Sequence, residues 1–267
     1  MTTHALLAAL RANKPAFGAW ITLPGAFNAR LVAQSSPHLS WVVIDCEHGL
    51  TSLQPGAAES IQAIAGSGPN APSPLVRIPA TGVSSGTGWQ IKYALDAGAR
   101  GIIVPMVGTA EKAKEVVADS RFAPVGRRGF GSPFTHGTWG VSANEYVAGA
   151  NESVLVMVQI ETREAVDNIE AIAAVDGLDV LFIGPYDLSM SYGYDRPSPD
   201  PHPDVEKIIQ HILAVGHKHG KKVAVFCTSG SQSAKRAQEG FDMINVTADS
   251  SALSENLAAH LATAAGN

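Results

Sequence analysis

Cysteine is scarce in this sequence. Cys46 and Cys227 are the only two cysteines in 267 residues, and no C-x-x-C pair occurs. A secreted disulfide scaffold or a cysteine-ligated zinc site would need more. Both cysteines are therefore predicted to be reduced residues at the ends of buried strands.

Positive charge is also in short supply. The chain has 19 Lys and Arg against 24 Asp and Glu, which gives a formal net charge of −5. Its basic residues form no run, whereas proteins that bind nucleic acid usually carry a basic face. No nucleic-acid partner is therefore expected.

Apolar runs of membrane-spanning length are missing as well. The first 20 residues contain a short apolar stretch, but Arg11, Lys14 and Pro15 interrupt it. The stretch is too short for a membrane span and lacks the layout of a signal peptide. It is predicted to be an amphipathic helix that caps one end of the domain, in a cytoplasmic protein without a membrane partner.

Short apolar runs do occur, and they alternate with amphipathic stretches along the whole chain. This alternation predicts parallel strands covered by helices on both faces, and eight repeats predict one α/β domain, a closed (β/α)8 TIM barrel over residues 1–267. The alternative is an open doubly wound sheet, but that fold would need a glycine-rich phosphate turn after the first strand, where LPGA stands instead. The predicted strands are Phe17–Thr22, Trp41–Asp45, Leu75–Ile78, Gly101–Pro105, Val154–Glu161, Val180–Gly184, Lys222–Cys227 and Met243–Val246. The predicted helices between them include Ala57–Ala65, Trp89–Ala97, Ala110–Ser120, Arg163–Ala174, Pro203–His219 and Ser231–Glu239.

Two stretches interrupt this alternation. Gly66–Pro74 is rich in Gly, Pro, Asn and Ser and is predicted to be a loop, and Gly126–Gly140 is a long glycine-rich segment. Loops of that length in a compact domain are usually functional or mobile. His136, inside the second stretch, is therefore noted as a further candidate functional residue.

Acidic residues follow two neighbouring predicted strands at their carboxyl ends, which is where a parallel barrel carries its active site. Glu161 ends the fifth strand and Asp187 follows the sixth. Two carboxylates without a His or Cys pair suit an octahedral cation such as Mg²⁺, which also takes substrate oxygens and stabilises an enolate as a Lewis acid. For each acid taken singly a helix cap is the favoured interpretation, whereas the two acids together at adjacent strand ends favour the metal.

Further polar side chains end neighbouring strands. Arg77 is a candidate clamp for a substrate carboxylate, with a structural salt bridge as the alternative. His48 is a candidate general acid or base rather than an ordinary loop histidine, and Asp45 is placed to orient it or to bind a substrate hydroxyl. Gln159 and Glu161 lie two residues apart on one strand, so their side chains point the same way.

A Schiff-base mechanism would need a lysine at the carboxyl end of a strand. Most lysines of this chain fall in helical stretches, and Lys221 and Lys222 lie at the other end of their strand. The distribution of lysines therefore favours metal-assisted chemistry.

At these residues the sequence resembles the HpcH/HpaI aldolase family of class II pyruvate aldolases, which includes 4-hydroxy-2-oxoheptanedioate and 2-dehydro-3-deoxyglucarate aldolases. The matching stretches occur in order from residue 17 to residue 247 and cover nearly the whole chain. They include FGAWITLPG, WVVIDCEHG, LVRIP, IKYALDAGARGIIVPMV, RGFG and, most specific of all, QIET followed by FIGPYDLS.

The resemblance implies a barrel of the phosphoenolpyruvate/pyruvate type. The implied reaction is reversible retro-aldol cleavage of a 4-hydroxy-2-oxo acid to pyruvate and an aldehyde through a metal-stabilised enolate, with Mg²⁺, Mn²⁺ or Co²⁺ as cofactor. The implied assembly is a homo-hexamer, a trimer of dimers that exchange a C-terminal helix. The implied site residues are Glu161 and Asp187 as metal ligands, Arg77 as the pyruvate clamp, His48 as acid or base with Asp45 beside it, Gln159, Gly184 and Pro185 as substrate contacts, and Asp96 as an acid that reaches the partner subunit's site.

Three departures from the family's pattern concern the substrate. Cys46 stands where the family often has Gly, the stretches Gly66–Pro74 and Ala80–Gly88 look enlarged, and the seventh strand ends in FCTSG. These loops are predicted to lie where the aldehyde-derived half of the substrate binds. These departures leave the identity of the aldehyde undetermined and do not change the residues predicted to bind pyruvate.

Three other functions compete with the aldolase. A decarboxylase of oxaloacetate similar to macrophomate synthase would use the same enolate and couple it to another acceptor. A lyase that binds coenzyme A ranks lower, because no basic patch for its phosphates is visible. A non-catalytic oligomeric barrel is a different class, and the complete set of metal, Arg and His candidates argues against it.

Overall fold

The computed structural model describes residues 3–79 and 86–266, and its strands close into a barrel. All neighbouring strands are parallel, and the last strand pairs with the first, so the predicted (β/α)8 barrel is confirmed. The strands are β1 (Ala16–Ile21), β2 (Trp41–Asp45), β3 (Ser73–Arg77), β4 (Gly101–Val104), β5 (Leu155–Ile160), β6 (Val180–Ile183), β7 (Lys222–Val225) and β8 (Met243–Ala248).

Helices connect the strands on the outside of the barrel. They are α1 (Ala5–Arg11), α2 (Ala26–Ala33), α3 (Ala58–Ala65), α4 (Gly88–Asp96), α5 (Ala110–Ser120), α6 (Thr135–Trp139), α7 (Ala143–Ser153), α8 (Arg163–Asp167), α9 (Ile169–Ala173), α10 (Pro185–Ser191), α11 (Pro203–Lys218), α12 (Gly230–Gln238) and α13 (Asp249–Ala264). A short π-helical turn, Leu53–Ala57, precedes α3. Among the helices of the described chain, none is long and apolar enough to cross a membrane.

Two predicted segments differ from the structure in their secondary structure for local reasons. The helix predicted over Arg163–Ala174 is two short helices, because the chain bends at Asn168, whose side chain donates a hydrogen bond to the carbonyl of Gly108 (2.9 Å). The predicted loop Gly126–Gly140 contains α6, so it is not free of secondary structure.

The barrel interior is filled by side chains at alternate strand positions, as the two-residue repeat of a strand requires. Trp41 is fully buried there, and a Cβ on Gly18 of the neighbouring strand would collide with its indole ring. Gly18 therefore makes room for Trp41 inside the barrel. Along β5, the side chains of Leu155 and Met157 also point into the barrel, and they lead to the polar residues at the carboxyl end of the strand.

The amino-terminal helix α1 covers the amino end of the barrel, as its apolar stretch predicted. Leu6, Leu7 and Leu10 are buried against the interior side chains. His4, just before the helix, hydrogen-bonds Ser73 Oγ through Nδ1 (2.7 Å) and the carbonyl of Ser153 through Nε2 (3.1 Å). A neutral imidazole that donates from Nε2 and accepts at Nδ1 satisfies both contacts.

His4 should make the fold sensitive to acid. Burial, with help from the charge of Arg100, lowers the pKa of His4 from 6.5 to about 3. Between these values the unfolded chain binds a proton that the folded chain does not. The free energy of unfolding should therefore fall as the pH falls through this window, by at most about 1.4 kcal/mol per pH unit from this group.

Denaturant unfolding of wild type and His4→Gln between pH 7.5 and 4 measures this effect. The stability advantage of wild type over the variant should shrink steadily as the pH falls. His38→Gln, which changes an exposed histidine, is the control and should follow wild type in parallel. A wild-type advantage over His4→Gln that stays constant with pH would show that His4 is not kept neutral by the fold.

The position of Gly66–Pro74 corrects the expectation that this enlarged loop borders the aldehyde half of the substrate. Gly66–Pro74 precedes β3, whose first two residues are Ser73 and Pro74, and therefore lies at the amino end of the barrel. Gly126–Gly140 joins α5 to α7 and lies at the same end. Of the stretch Ala80–Gly88, residues 80–85 lie outside the described residues, and Gly88 begins α4.

Both cysteines are buried and free. Burial raises the pKa of the Cys46 thiol to about 12 and that of Cys227 to about 11, so neither is a reactive thiolate. Both belong to the apolar layer between the barrel and its helices. The replacement of glycine by Cys46 therefore changes this layer and adds no side chain to the cavity described next.

Candidate active site

A cavity of about 120 Å³ opens at the carboxyl ends of the strands. This is the end at which parallel barrels carry their active sites, because the loops that follow the strands converge there. Its lining combines charged residues with aromatic ones and contains seven of the nine sequence-predicted site residues. The lining residues are Trp20, His48, Arg77, Gln159, Glu161, Phe182, Gly184, Pro185, Tyr186, Asp187 and Phe226.

Arg77 is held at the end of β3 by a bidentate ion pair with Asp45. Its Nε and Nη2 donate to the two carboxylate oxygens of Asp45 at 2.9 and 2.7 Å. Burial alone would raise the pKa of Asp45, but the hydrogen bonds and charge of Arg77 outweigh burial and hold that pKa below its usual range. Two parallel hydrogen bonds fix the guanidinium plane, which a single charge contact would not do.

Asp45 also organises the loop that follows β2. Its Oδ1 accepts hydrogen bonds from the backbone N–H groups of Glu47 (3.1 Å) and His48 (3.2 Å). Within the described chain, its side chain contacts Arg77 and these amides but not the imidazole of His48. The expectation that Asp45 orients the histidine ring is therefore not met in this structure, and its partner is the arginine.

Glu161 is buried at the end of β5, and its two oxygens have different partners. Oε1 accepts the backbone N–H of Met106 (2.8 Å), and Oε2 accepts the side-chain amide of Gln159 (2.6 Å). Met106 has a positive φ of 56°, a left-handed conformation that is uncommon for a side chain of this kind. Burial raises the pKa of Glu161 to about 7, because neither neighbour supplies a positive charge.

Negative charge exceeds positive charge in this site. Four acids, Asp45, Glu47, Glu161 and Asp187, face one cation, Arg77, whose guanidinium contacts Asp45 and, at 3.1 Å, Glu47. Asp187 makes no hydrogen bond or ion pair with any described residue and raises the pKa of both Glu47 and Glu161 through its charge. A surplus of carboxylates at this end of the barrel favours the binding of a cation.

The chemistry of these donors fits a hard divalent cation. Carboxylate oxygens from two adjacent strands leave further coordination positions for water and substrate. Within residues 3–79 and 86–266, no three or more His, Cys, Asp and Glu side chains are grouped as a ready-made set of ligands.

His48 lies at the rim of the cavity. Two-thirds of its side chain is exposed, and its Nε2 is 3.8 Å from Glu47 Oε2. An exposed imidazole in a loop can reach a substrate that enters from solvent and can exchange its proton with water. The position is compatible with an acid or base that acts on the outer half of a substrate.

Asp96 lies apart from its own cavity. It is the last residue of α4, and its carboxylate contacts Lys92 (2.8 Å) and Arg128 (3.0 Å). It is not among the residues that line the cavity of its own chain. A role in catalysis therefore requires that it serve another subunit.

The sequence arguments missed an acid and an aromatic wall. The acid is Glu47, which is not among the sequence-predicted site residues although its Oε2 lies 3.1 Å from Nη1 of Arg77. The wall is formed by Trp20, whose ring packs edge-to-face at 5.4 Å against both Phe182 and Phe226. Alternation along the strands could have identified Trp20 and Phe182, which continue the inward rows of β1 and β6.

Gly184 makes room for the Glu161 carboxylate, and Gly184→Ala tests this arrangement. A Cβ at Gly184 would collide with Oε2 of Glu161, whereas the φ of −99° is open to alanine. Displacing a functional carboxylate should lower turnover by about tenfold or more with little loss of thermal stability. Gly230→Ala is the control, because a Cβ there meets nothing within 4 Å. Equal turnover in the two variants would mean that the position of Glu161 does not matter.

Comparison with known proteins assigns this barrel to a family. The chain belongs to the HpcH/HpaI aldolase/citrate lyase family, whose model matches residues 22–255. It is 36% identical over 246 residues to a 2-keto-3-deoxy-L-rhamnonate aldolase from Klebsiella pneumoniae, covering 92% of this chain and 87% of that protein. It is 37% identical over 243 residues to a hydroxypyruvate/pyruvate aldolase from Chromohalobacter salexigens, covering 89% and 88%. The crystal structure of an HpcH/HpaI aldolase/citrate lyase family protein from Burkholderia cenocepacia J2315 matches with a TM-score of 0.84 at 31% identity, covering 96% and 98%.

These relatives confirm the family that the sequence motifs indicated. They also confirm the class of protein, since the curated relatives named above are aldolases. The chain is an enzyme, a carbon–carbon lyase of the aldolase class.

Proposed function

We propose that this enzyme cleaves a 4-hydroxy-2-oxo acid to pyruvate and an aldehyde, reversibly and with the help of a divalent cation. The observation that carries the proposal is the surplus of carboxylates around one fixed arginine at the carboxyl end of the barrel. A 2-oxo acid has a carboxylate that an arginine can bind and a keto oxygen that a cation can bind. The names of the aldolase relatives agree with this class of substrate.

Glu161 and Asp187 would hold the cation. They lie at the carboxyl ends of the neighbouring strands β5 and β6 and line the same cavity. The cation, which we propose to be Mg²⁺, Mn²⁺ or Co²⁺, would stabilise as a Lewis acid the negative charge that develops on the C2 oxygen. Gln159 donates to Glu161 and thereby orients its carboxylate for this task.

Arg77 would bind and orient the pyruvate half of the substrate. Its guanidinium plane is fixed by Asp45, and its Cζ lies 5.0 Å from the centre of the Trp20 ring. A group that is already fixed loses little entropy when it binds substrate. Gly184 and Pro185, at the start of α10, line the cavity beside it, and the absent Cβ of Gly184 lets the substrate and Glu161 share the space.

His48 would move the proton of the C4 hydroxyl. In the cleavage direction His48 would take this proton as the C3–C4 bond breaks and the aldehyde forms, and the enolate left behind would take up a proton at C3 to become pyruvate. In synthesis these transfers run in reverse, and the proton returns to the new hydroxyl. The imidazole lies at the open side of the cavity, where the aldehyde-derived half of the substrate would extend. An imidazole can both accept and donate a proton, so it serves either direction of the reaction.

A screen with pyruvate as the nucleophile donor tests the reaction class. Purified enzyme with added Mg²⁺ or Mn²⁺ is incubated with pyruvate and a panel of hydroxyaldehydes, and 4-hydroxy-2-oxo acids are detected by mass. We expect condensation with at least one aldehyde, and cleavage of the same product in the reverse direction. Decarboxylation of oxaloacetate without condensation with any aldehyde would instead support the decarboxylase alternative.

We also propose that the enzyme works as a homo-hexamer, a trimer of dimers in which α13 is exchanged between subunits. None of the residues of α13 is buried within its own chain. Leu253, Leu257 and Leu261 repeat every four residues along it, and each is more than half exposed. A row of leucines on one helix face is expected to pack against another surface, and a second subunit would supply that surface.

Asp96 would complete the site of a neighbouring subunit in such an assembly, where its carboxylate would lie beside His48 and favour the charged imidazole. The test mixes Asp96→Asn with Glu161→Gln under conditions in which subunits exchange. Each variant alone should be nearly inactive. If sites are shared, about one site in four of the mixed oligomer combines a native Asp96 with a native Glu161 and regains activity.

Exchange has to be demonstrated independently, by native mass spectrometry of subunits labelled with heavy and light isotopes. Recovered activity in the exchanged mixture supports the shared site. A mixture that stays inactive after full exchange, or a fully active monomer, would refute it.

A further inference from the structure

A groove of about 680 Å³ lies at the amino end of the barrel, opposite the active site. It is lined by the segment that leads into α1, by the loop before β3 and by the end of α6. The last two belong to the stretches Gly66–Pro74 and Gly126–Gly140, which interrupt the regular alternation of the sequence. Nothing in the proposed aldol reaction uses them.

Arg100 is the one side chain with a permanent charge in this groove. Its guanidinium lies over the indole of Trp139, with Cζ 3.8 Å from the ring centre. It makes no hydrogen bond or ion pair with any described side chain, and its Nη1 is buried without a partner. No Asp or Glu lines the groove.

Arg100 differs from the other arginines of the described residues that are at least partly buried, because it has no carboxylate partner. The other arginines that are not fully exposed, Arg77, Arg121, Arg128 and Arg236, each contact a carboxylate within 3.0 Å. Burial lowers the pKa of Arg100 to about 10, which still leaves it charged at neutral pH. A partly buried guanidinium with no anion is costly, and binding an anion would offset that cost.

The walls around Arg100 indicate what kind of molecular body a ligand would carry beside its anionic group. They combine small apolar side chains, Ala5, Ala8, Leu39 and Ala65 among them, with the polar groups of residues such as Ser40, Asn70 and Thr138. A flat or compact apolar body would fit such walls, while the indole of Trp139 holds the guanidinium plane in place.

We propose that this groove is a second ligand site, which binds a small organic carboxylate through Arg100. The carboxylate would accept hydrogen bonds from the guanidinium, and the apolar body would lie against the alanine and proline walls. Because the groove and the active site are at opposite ends of the barrel, the ligand would bind without displacing a substrate.

The test measures binding of benzoate to the full-length protein by isothermal titration calorimetry, with benzamide as the neutral analogue of the same shape. We expect benzoate to bind and benzamide to bind at least about tenfold more weakly, since the charge-assisted hydrogen bonds are lost. Arg100→Met should weaken benzoate by a similar factor. Arg30→Met, which removes an exposed arginine of α2, should leave it unchanged.

Two further measurements distinguish benzoate binding at Arg100 from binding in the active site and from binding of any anion. Arg77→Met removes the arginine of the active site, and benzoate binding should survive it. Inorganic phosphate should bind more weakly than benzoate, because it lacks an apolar body. The proposal is overturned if Arg100→Met binds benzoate as wild type does, if Arg77→Met abolishes binding, or if phosphate binds better than benzoate with the same dependence on Arg100.

Misfolding does not obscure these results, because Arg100→Met removes an unpaired charge and should keep the thermal midpoint of wild type. A strongly lowered midpoint would mean that Arg100 has a structural role in the empty protein and would count against a ligand site.

Discussion

Glu161→Gln and Asp187→Asn are each expected to lower turnover by about a hundredfold or more. Both substitutions keep the size of the side chain and remove the negative charge that would hold a divalent cation. Lewis-acid stabilisation contributes several kcal/mol to such reactions, and each 1.4 kcal/mol corresponds to about a factor of ten in rate. Binding of Mn²⁺, followed by electron paramagnetic resonance, should weaken in parallel with turnover.

Glu164→Gln is the matched control for these two variants. Glu164 is an exposed acid in α8, three residues after Glu161, and it does not line the cavity. The same chemical change there should leave turnover and Mn²⁺ binding at the level of wild type. Unchanged Mn²⁺ binding in both Glu161→Gln and Asp187→Asn would contradict the assignment of these two acids as metal ligands.

Arg77→Lys is expected to be nearly as damaging as Arg77→Ala, with the loss in kcat rather than in KM alone. The guanidinium uses Nε and Nη2 on Asp45 and Nη1 on Glu47. A lysine ammonium is a single point and cannot keep both oxygens of Asp45 while it also contacts a substrate. A contact that strengthens as the transition state forms affects kcat.

The magnitude expected for both Arg77 variants is a loss of about a hundredfold or more in kcat. Arg163→Lys is the control, because Arg163 is exposed in α8 and stacks on Tyr192 outside the cavity. If Arg77→Lys kept most of the wild-type kcat, Arg77 would be a source of positive charge rather than an oriented clamp.

The barrel could be predicted because its strands and helices differ in length and pattern. Trp41–Asp45 was bounded correctly, since an apolar β-branched run ends there in a charged residue. Helices such as α2 and α10 were missed because they are short and follow the strand ends closely, so no separate amphipathic period is visible. The position of Gly66–Pro74 could have been inferred from the order of elements alone, because any loop before a strand lies at the amino end.

The site was predictable where a charged residue ends a strand. Arg77 ends β3 and Glu161 directly follows β5, whereas Asp187 lies in the first turn of α10 after β6, and the cavity brings the three together. The partner of Asp45 was not predictable, because the pairing with Arg77 depends on the register of β2 against β3, which places these two residues side by side. The short spacing in the sequence indicated His48 as the partner of Asp45. The pairing of β2 with β3 instead places Arg77 beside Asp45.

The sequence also did not indicate that Arg100 would lie in a groove without an acidic partner. Arg100 lies just before β4, where an arginine usually reads as a surface residue. Its lack of an acidic neighbour results from three separate segments that meet at the amino end of the barrel. Only the folded chain shows which charges have no counterpart.

The most direct test of the proposed chemistry is turnover after removal of metal. Wild-type enzyme is treated with EDTA, dialysed and assayed for cleavage of the 4-hydroxy-2-oxo acid identified in the condensation screen, alone and with Mg²⁺, Mn²⁺ or Co²⁺ added. We predict that the treated enzyme releases pyruvate at a negligible rate and that at least one of these cations restores it. Full activity in excess chelator, with no response to added cation, would contradict the account.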